Sequence, residues 1–291
     1  NGIVFTPNYI IDYLIRNSLK FIQYENKSKI KILDPCCGNG GFLIRAAIIL
    51  HDEFGISYER AFSDILFGID VDPIISNEAK LIIQLFLFSK GIKLPSSKIN
   101  ILCSDSLLIE KHEIMKKFDL DSGFDILVTN PPYVKLQNLS QDYRKLLSKK
   151  YNEFILGSFS LSLLFSVSGY RLLSQNGCFG LITQNNLFTS LSGKYVRKYL
   201  QKEFSIKRII DFGHHKIFTN VNAYTCLLFL QKKKLTGIEY ETLAYDKNFT
   251  KKKLDNLDFS LIEYGQLDYN KWRLAKGKHL KNLLQIKKVG N

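Results

Sequence analysis

The stretch FDILVTNPPYV, residues 124 to 134, runs apolar like a buried strand and then breaks on an asparagine, two prolines and a tyrosine. A proline biases the residue before it toward extended backbone, and Pro131 and Pro132 apply that constraint twice, to Asn130 and to Pro131. In so stiff a corner the side-chain carbonyl of Asn130 and the backbone carbonyl of Pro131 can converge, two acceptors for the two hydrogens of an amino group. Such a pair would hold an amine against a methyl donor and favour the positive charge that develops on nitrogen during transfer. Tyr133 would then stack on the flat ring that bears the amine.

A second cluster, DPCCGNGGF at residues 34 to 42, ends a predicted strand at Asp34 and opens a helix through Gly38, Gly40 and Gly41. Glycines let backbone approach a ligand closely and adopt positive φ. The turn lacks the Gly-Lys-Ser/Thr ending of a P-loop, and Leu43 stands where a dinucleotide fingerprint requires glycine. Asp34, Asp70 and Asp105 each fall at the end of a predicted strand, which lines one rim of the sheet with carboxylates. Pyrophosphate would be repelled there, whereas a sulfonium and an amino group would be attracted. S-adenosylmethionine carries both. Asp70 is placed to accept from ribose hydroxyls and Asp105 from the adenine amine, while Asp72 reads better as a helix N-cap.

These residues need elements to position them. Thr6-Pro7 is a helix start, threonine as N-cap and proline at N1, followed by Ile10, Ile11, Leu14, Ile15, Leu19 and Ile22 on one face. KIKILD, ILFGIDV, KINILCSD, FDILV and GCFGLITQ read as five strands, the first two followed by helices, the second of which starts at Asp72-Pro73. IKRIIDF and AYTCLLFLQ would be the sixth and seventh, too close together for a helical crossover and therefore antiparallel. The pattern is α/β: a seven-stranded, mostly parallel sheet with an antiparallel strand and helices on both faces, with ligands at the carboxyl ends of the strands. Past about residue 235 it weakens and lysines cluster, so the expected division is a catalytic domain over 1–235 and a basic extension over 236–291.

The net charge of +14 is unevenly spread: residues 1–185 hold 20 Lys/Arg against 18 Asp/Glu, and residues 186–291 hold 21 against 9. A phosphate-bearing polymer suits the second part, because neutralising phosphates releases counterions. No apolar run is long enough for a membrane span and no signal-peptide layout opens the chain, so a cytoplasmic protein without a membrane partner is expected. The five cysteines show neither C-x-x-C spacing nor a neighbouring histidine pattern, and the adjacent His214 and His215 would point different ways on a strand, so no metal site is expected. Asp12 with Glu25-x-Lys27 lacks the Pro-Asp of a nuclease motif and is set aside. The chain opens on Asn1 and closes in a basic stretch, as a piece of something longer would.

NPPY together with DPCCGNGGF resembles the amino-group DNA methyltransferases, most closely the N6-adenine enzymes of restriction-modification systems. GIVFTP at residues 2–7 is similar to their upstream cofactor motif, and its place ahead of the glycine turn matches the gamma-class motif order. CSDSL, ILGSF and IFTNVNAYTCLLFL match the later motifs, so that the resemblance runs from about residue 2 to 231. Cys36 and Asn39 stand where small residues such as alanine and serine are common. The resemblance implies a Rossmann-like S-adenosylmethionine-dependent fold and methyl transfer to adenine N6 in double-stranded DNA with the base flipped out. It implies that Thr6, Asp34, Gly38, Gly40, Phe42, Asp70, Asp105 and, more weakly, Phe159 border the cofactor. It further implies that Asn130 and Pro131, stiffened by Pro132, grip the amine and that Tyr133 and Phe218 sandwich the base. Partners implied are a restriction endonuclease domain or subunit and a target recognition domain beyond the C-terminus, in a prokaryotic cell where the protein meets the nucleoid. Protein glutamine-N5 and RNA base methyltransferases share such a loop and are the alternative; the Thr-Pro motif and the basic C-terminal part favour DNA.

Overall fold

The computed structural model describes residues 6–22, 27–203, 205–213, 215, 224–243 and 251–276. The chain forms two compact units: Thr6–Asn130 with Ser168–Leu181, and Pro131–Val167 with Ile182–Asn291 and the first five residues. The cut between them falls inside the NPPY motif.

The first unit is a parallel sheet ordered β3-β2-β1-β4-β5. Its strands are β1 (Ile32–Asp34), β2 (Leu66–Asp70), β3 (Ile101–Cys103), β4 (Phe124–Thr129) and the larger part of β5 (Leu173–Gln184). Every residue of β1 and β4 is buried, as expected of central strands covered on both faces. Helices α1 (Asn8–Phe21), α2 (Gly41–Phe54), the single turn α3 (Tyr58–Arg60), α4 (Pro73–Ser89) and α5 (Lys111–Phe118) lie between and ahead of the strands. Helix α1 buries Ile10, Ile11, Leu14, Ile15 and Leu19, the face that the sequence predicts. Asp12 is buried too and takes a bidentate pair of bonds from Arg45 of α2, 2.8 and 2.7 Å, so this acid ties two helices together. The buried Asp125 likewise accepts from Lys31 N–H and from Ser174 Oγ, 2.9 and 2.8 Å, pinning the start of β4 to its surroundings.

Sheet order reverses between β1 and β4: from β1 the chain steps outward through β2 and β3, then returns to β4 on the other side. Such a switch point is where open α/β sheets bind ligands. Asp34 ends β1 and Asn130 follows β4, so the two flank it.

In the second unit β6 (Ile206–Asp211) pairs antiparallel with β7 (Thr225–Gln231), as expected. Beyond the seven expected strands, two more are present among the described residues. β8 (Gly237–Thr242) pairs in parallel with β6, and β9 (Ser260–Glu263) antiparallel with β8, so strand pairing continues across residue 235. The class stands as read, α/β with a mostly parallel mixed sheet. This unit also holds α6 (Gln141–Tyr151), most of α7 (Leu161–Leu172), and α8 (Lys194–Lys202).

Arg197 of α8 is fully buried, and its guanidinium donates to the carbonyls of Leu187, Ser190, Tyr269 and Asn270 at 2.6 to 2.9 Å. Desolvation lowers its pKa to about 10, against an opposing pull from Asp268. Trp272, also buried, donates its backbone N–H to Phe188 O at 2.8 Å and its indole N–H to Gln201 at 3.2 Å. Among the described residues no helix is long and apolar enough to cross a membrane.

Candidate active site

The glycine turn follows β1 directly. Gly38 and Gly40 both have positive φ, +52° and +83°, which side-chain-bearing residues rarely adopt, so it is the backbone conformation that calls for glycine at both positions. Gly40 is the N-cap of α2, so the turn delivers the amide-rich end of a helix to the rim of the sheet. Phe42, on the first turn of α2, is buried.

The three acids take different parts. Asp70, the last residue of β2, accepts from Gly38 N–H with one oxygen and from Asp72 N–H with the other, both at 3.0 Å, so it braces the glycine turn across the strand gap. Each oxygen keeps a second lone pair that a hydroxyl could use. Asp105 lies two residues past β3 and accepts from Leu107 and Leu108 N–H at 2.9 and 3.2 Å, shaping its own loop. Asp34 is only 1% exposed and turned into the protein. Its Oδ1 takes a bond from Thr129 Oγ1 at 2.7 Å and from Cys36 N–H at 3.2 Å. Burial drives its pKa up to about 7 despite the two hydrogen bonds, and the charge of Asp70 adds to the rise.

Thr129 in turn lies 2.8 Å from Cys36 Sγ. With the hydroxyl proton committed to Asp34, the thiol is the donor, and it also reaches the Asn130 carbonyl at 3.8 Å. Burial and the neighbouring carboxylate of Asp34 hold the Cys36 thiol well above its usual pKa, so it stays protonated and able to donate. A chain of the half-buried Cys36 and the buried Thr129 and Asp34 therefore joins the end of β1 to the end of β4 beneath Asn130. Neither Thr129 nor Cys36 was marked from the sequence as part of this arrangement. The one available signal was a hydroxyl residue closing an otherwise apolar strand.

Asn130 follows β4 and is half-buried. Its Nδ2 donates to Oγ1 of the buried Thr6 at 3.0 Å. Thr6 is thus not the helix cap that the sequence suggests. Pro7 occupies the N-cap position of α1, no side chain caps that helix, and the threonine hydroxyl is spent on Asn130 instead.

In the second unit, Pro131 is buried and Pro132 and Tyr133 are half-buried. The segment after them is zipped antiparallel to residues 159–161: Leu136 N–H donates to Phe159 O at 2.8 Å, Leu161 N–H to Val134 O at 2.9 Å, and Lys135 bridges Ser160. Phe159 is fully buried, and its backbone fixes the far end of the loop. Phe218 lies outside the described residues. Within the first unit the structure thus brings Thr6, Asp34, Gly38, Gly40, Asp70 and Asn130 into one set of hydrogen-bonded partners and glycines. Phe42 and Asp105 sit on the neighbouring helix and loop.

This donor set suits S-adenosylmethionine: carboxylates at strand ends for hydroxyls and an amine, glycines at the turn, and no lysine in the glycine turn to receive a phosphate.

A model of the Eco57I restriction-modification methylase family matches residues 64–218, more than half of the chain. The chain belongs to that family. The motif resemblance had pointed to such a methylase. The Escherichia coli type II restriction enzyme and methyltransferase RM.Eco57I is 26% identical over 322 residues, covering 94% of this chain and 32% of its own length. Among solved structures, the DrdV–DNA complex superposes with a TM-score of 0.72 at 16% identity, over 96% of this chain and 34% of that one. A class I S-adenosylmethionine-dependent methyltransferase structure from Listeria monocytogenes gives 0.61 at 20% identity, over 84% and 67%. The fold is therefore that of the methyltransferases, and this Eco57I-family chain spans about a third of the length of its E. coli relative.

Proposed function

We propose that the chain is the catalytic part of a restriction-modification DNA methyltransferase that transfers a methyl group from S-adenosylmethionine to N6 of adenine in DNA. The observation that carries this reading is the placement of Asn130: it leaves the central strand β4 at the switch point, beside the glycine turn, with its amide held by Thr6. Family membership supports the class of reaction, and the motif supports the atom.

In this reading Gly38, Gly40, Asp70 and Asp105 hold the cofactor, which supplies an electrophilic methyl on a sulfonium. Asn130 Oδ1 and the Pro131 carbonyl accept from the adenine amine and stabilise the charge that grows on it. Tyr133 and Phe218 stack on the flipped base. Extruding a base costs a few kcal/mol and stacking returns about 1 to 3 kcal/mol per base, so two rings offset much of the cost. No nucleophile of the protein is needed, because the nitrogen attacks the methyl directly. Partnership with an endonuclease and a target recognition domain belongs to the same reading, and the basic composition of residues 186–291 suits DNA phosphates.

The test is to express the full-length gene and an Asn130→Ala variant and map modified bases in cellular DNA. N6-methyladenine at a defined sequence, lost in the variant, is expected. Label from the cofactor appearing in glutamine or RNA, with none in DNA, would replace this reading with the alternative.

A further inference from the structure

We propose that Thr6 is a positioning residue for methyl transfer, holding the Asn130 amide in the orientation that presents its carbonyl oxygen to the target amine. The inference rests on the reading above, in which Asn130 Oδ1 is an acceptor. A primary amide has two nearly isosteric orientations, and only one of them places oxygen toward an amino group; the other sets two donors face to face. The bond from Nδ2 to Thr6 Oγ1, 3.0 Å long, commits the nitrogen to the protein. Were the hydroxyl instead to donate to Oδ1, the amide nitrogen would meet the amine, and nitrogen of an amide does not accept.

Thr6 is well anchored for this task. It is 5% exposed, and Pro7 beside it receives the first two backbone bonds of α1, from Ile10 and Ile11 at 2.9 and 3.3 Å. That helix packs its whole apolar face inward. The hydroxyl is therefore carried by a rigid element, and it has no local duty because α1 uses no side-chain cap. From below, the chain of Cys36, Thr129 and Asp34 steadies the backbone of the same residue. Held at the side chain and under the main chain, Asn130 keeps one pose before substrate arrives, which is what near-attack geometry requires.

The expected role differs from a border to the cofactor, and kinetics separate them. In the full-length protein, Thr6→Val should lower kcat about five-fold, the worth of one hydrogen bond, while the dissociation constant for S-adenosylmethionine stays close to wild type. Thr6→Ser, which keeps the hydroxyl, should restore kcat. Thr6→Ala carries the same expectation as valine should the added methyl disturb packing. Weakened cofactor binding with kcat unchanged would overturn the inference and return Thr6 to the cofactor. If Asn130→Ala alone methylates at the wild-type rate, the proposed function falls; if Asn130→Ala is inactive and Thr6→Val is not impaired, only the positioning role falls.

Discussion

Two helices in this chain start at a polar residue followed by proline, and the two starts are built differently. At Asp72-Pro73 the carboxylate accepts from Ile74 and Ile75 N–H at 2.8 and 3.4 Å, an exposed N-cap with proline at N1. At Thr6-Pro7 the proline takes the cap position itself and the threonine reaches Asn130, 124 positions away. One side chain is spent on its own helix and contributes local stability; the other is spent at long range, where it accepts from the amide of Asn130, the group proposed to grip the target amine. The same short pattern serves both, so the partner rather than the pattern decides the role.

Asp34 and Asp72 show this contrast at its widest, and the largest effect is expected there. Asp72 is exposed, whereas Asp34 is sealed under the end of β4 with its pKa raised from 3.8 to about 7. A raised carboxylate means that the folded state takes up the proton first. Its contribution is fully present below the ordinary value near 4 and is lost as pH rises through about 7. At about 1.4 kcal/mol per pKa unit, stability should fall by up to about 4 kcal/mol across that window. Urea unfolding at pH 5 and pH 8, compared between wild type and Asp34→Asn, isolates the effect. Equal slopes in the two proteins would refute it.

The comparison itself is sharpened by a crossed pair of variants. Asp72→Ala should cost about 1 kcal/mol of unfolding free energy through the lost cap and leave kcat unchanged. Thr6→Val should lose a similar amount of unfolding free energy with its buried hydrogen bond but, unlike Asp72→Ala, should also reduce kcat. If both lose only stability, the distinction between the two starts disappears. The smallest effect belongs to Pro7→Asp, which supplies the missing cap at α1. A gain of about 1 kcal/mol from the cap, less about 0.5 kcal/mol for the lost proline rigidity, leaves a modest net stabilisation measurable in the same unfolding assay.

Much of the first unit was legible because its strands are apolar runs that end abruptly on an acid or an amide: Asp34, Asp70 and Asn130 all mark strand ends where the sequence puts them. The antiparallel pairing of β6 and β7 followed from the short gap between them. β8 and β9 were missed although GIEYET alternates apolar and polar residues as a half-buried strand does: each is short, six and four residues, and the lysine-rich composition around them drew the reading toward a basic extension. Pairing with β6 stabilises β8 at long range, and no local propensity reports that. The site was legible as residue types and not as roles. An acid at a strand end looks the same whether it faces outward like Asp70 or is sealed like Asp34, and what distinguishes them is Thr129, 95 positions from Asp34. Thr6 was misread as a cap for the same reason.

Arg197 sets a lower limit on how short this polypeptide can be made. Two of the four carbonyls that solvate its guanidinium come from Tyr269 and Asn270, and Trp272 closes over the same helix. A chain cut upstream of residue 269 would leave half of that oxygen shell to water and lose two charge-assisted hydrogen bonds, each worth about 1.5 to 3 kcal/mol. The keystone of the second unit is thus supplied by residues that carry no recognisable motif, and trimming the protein to its motifs alone would remove it.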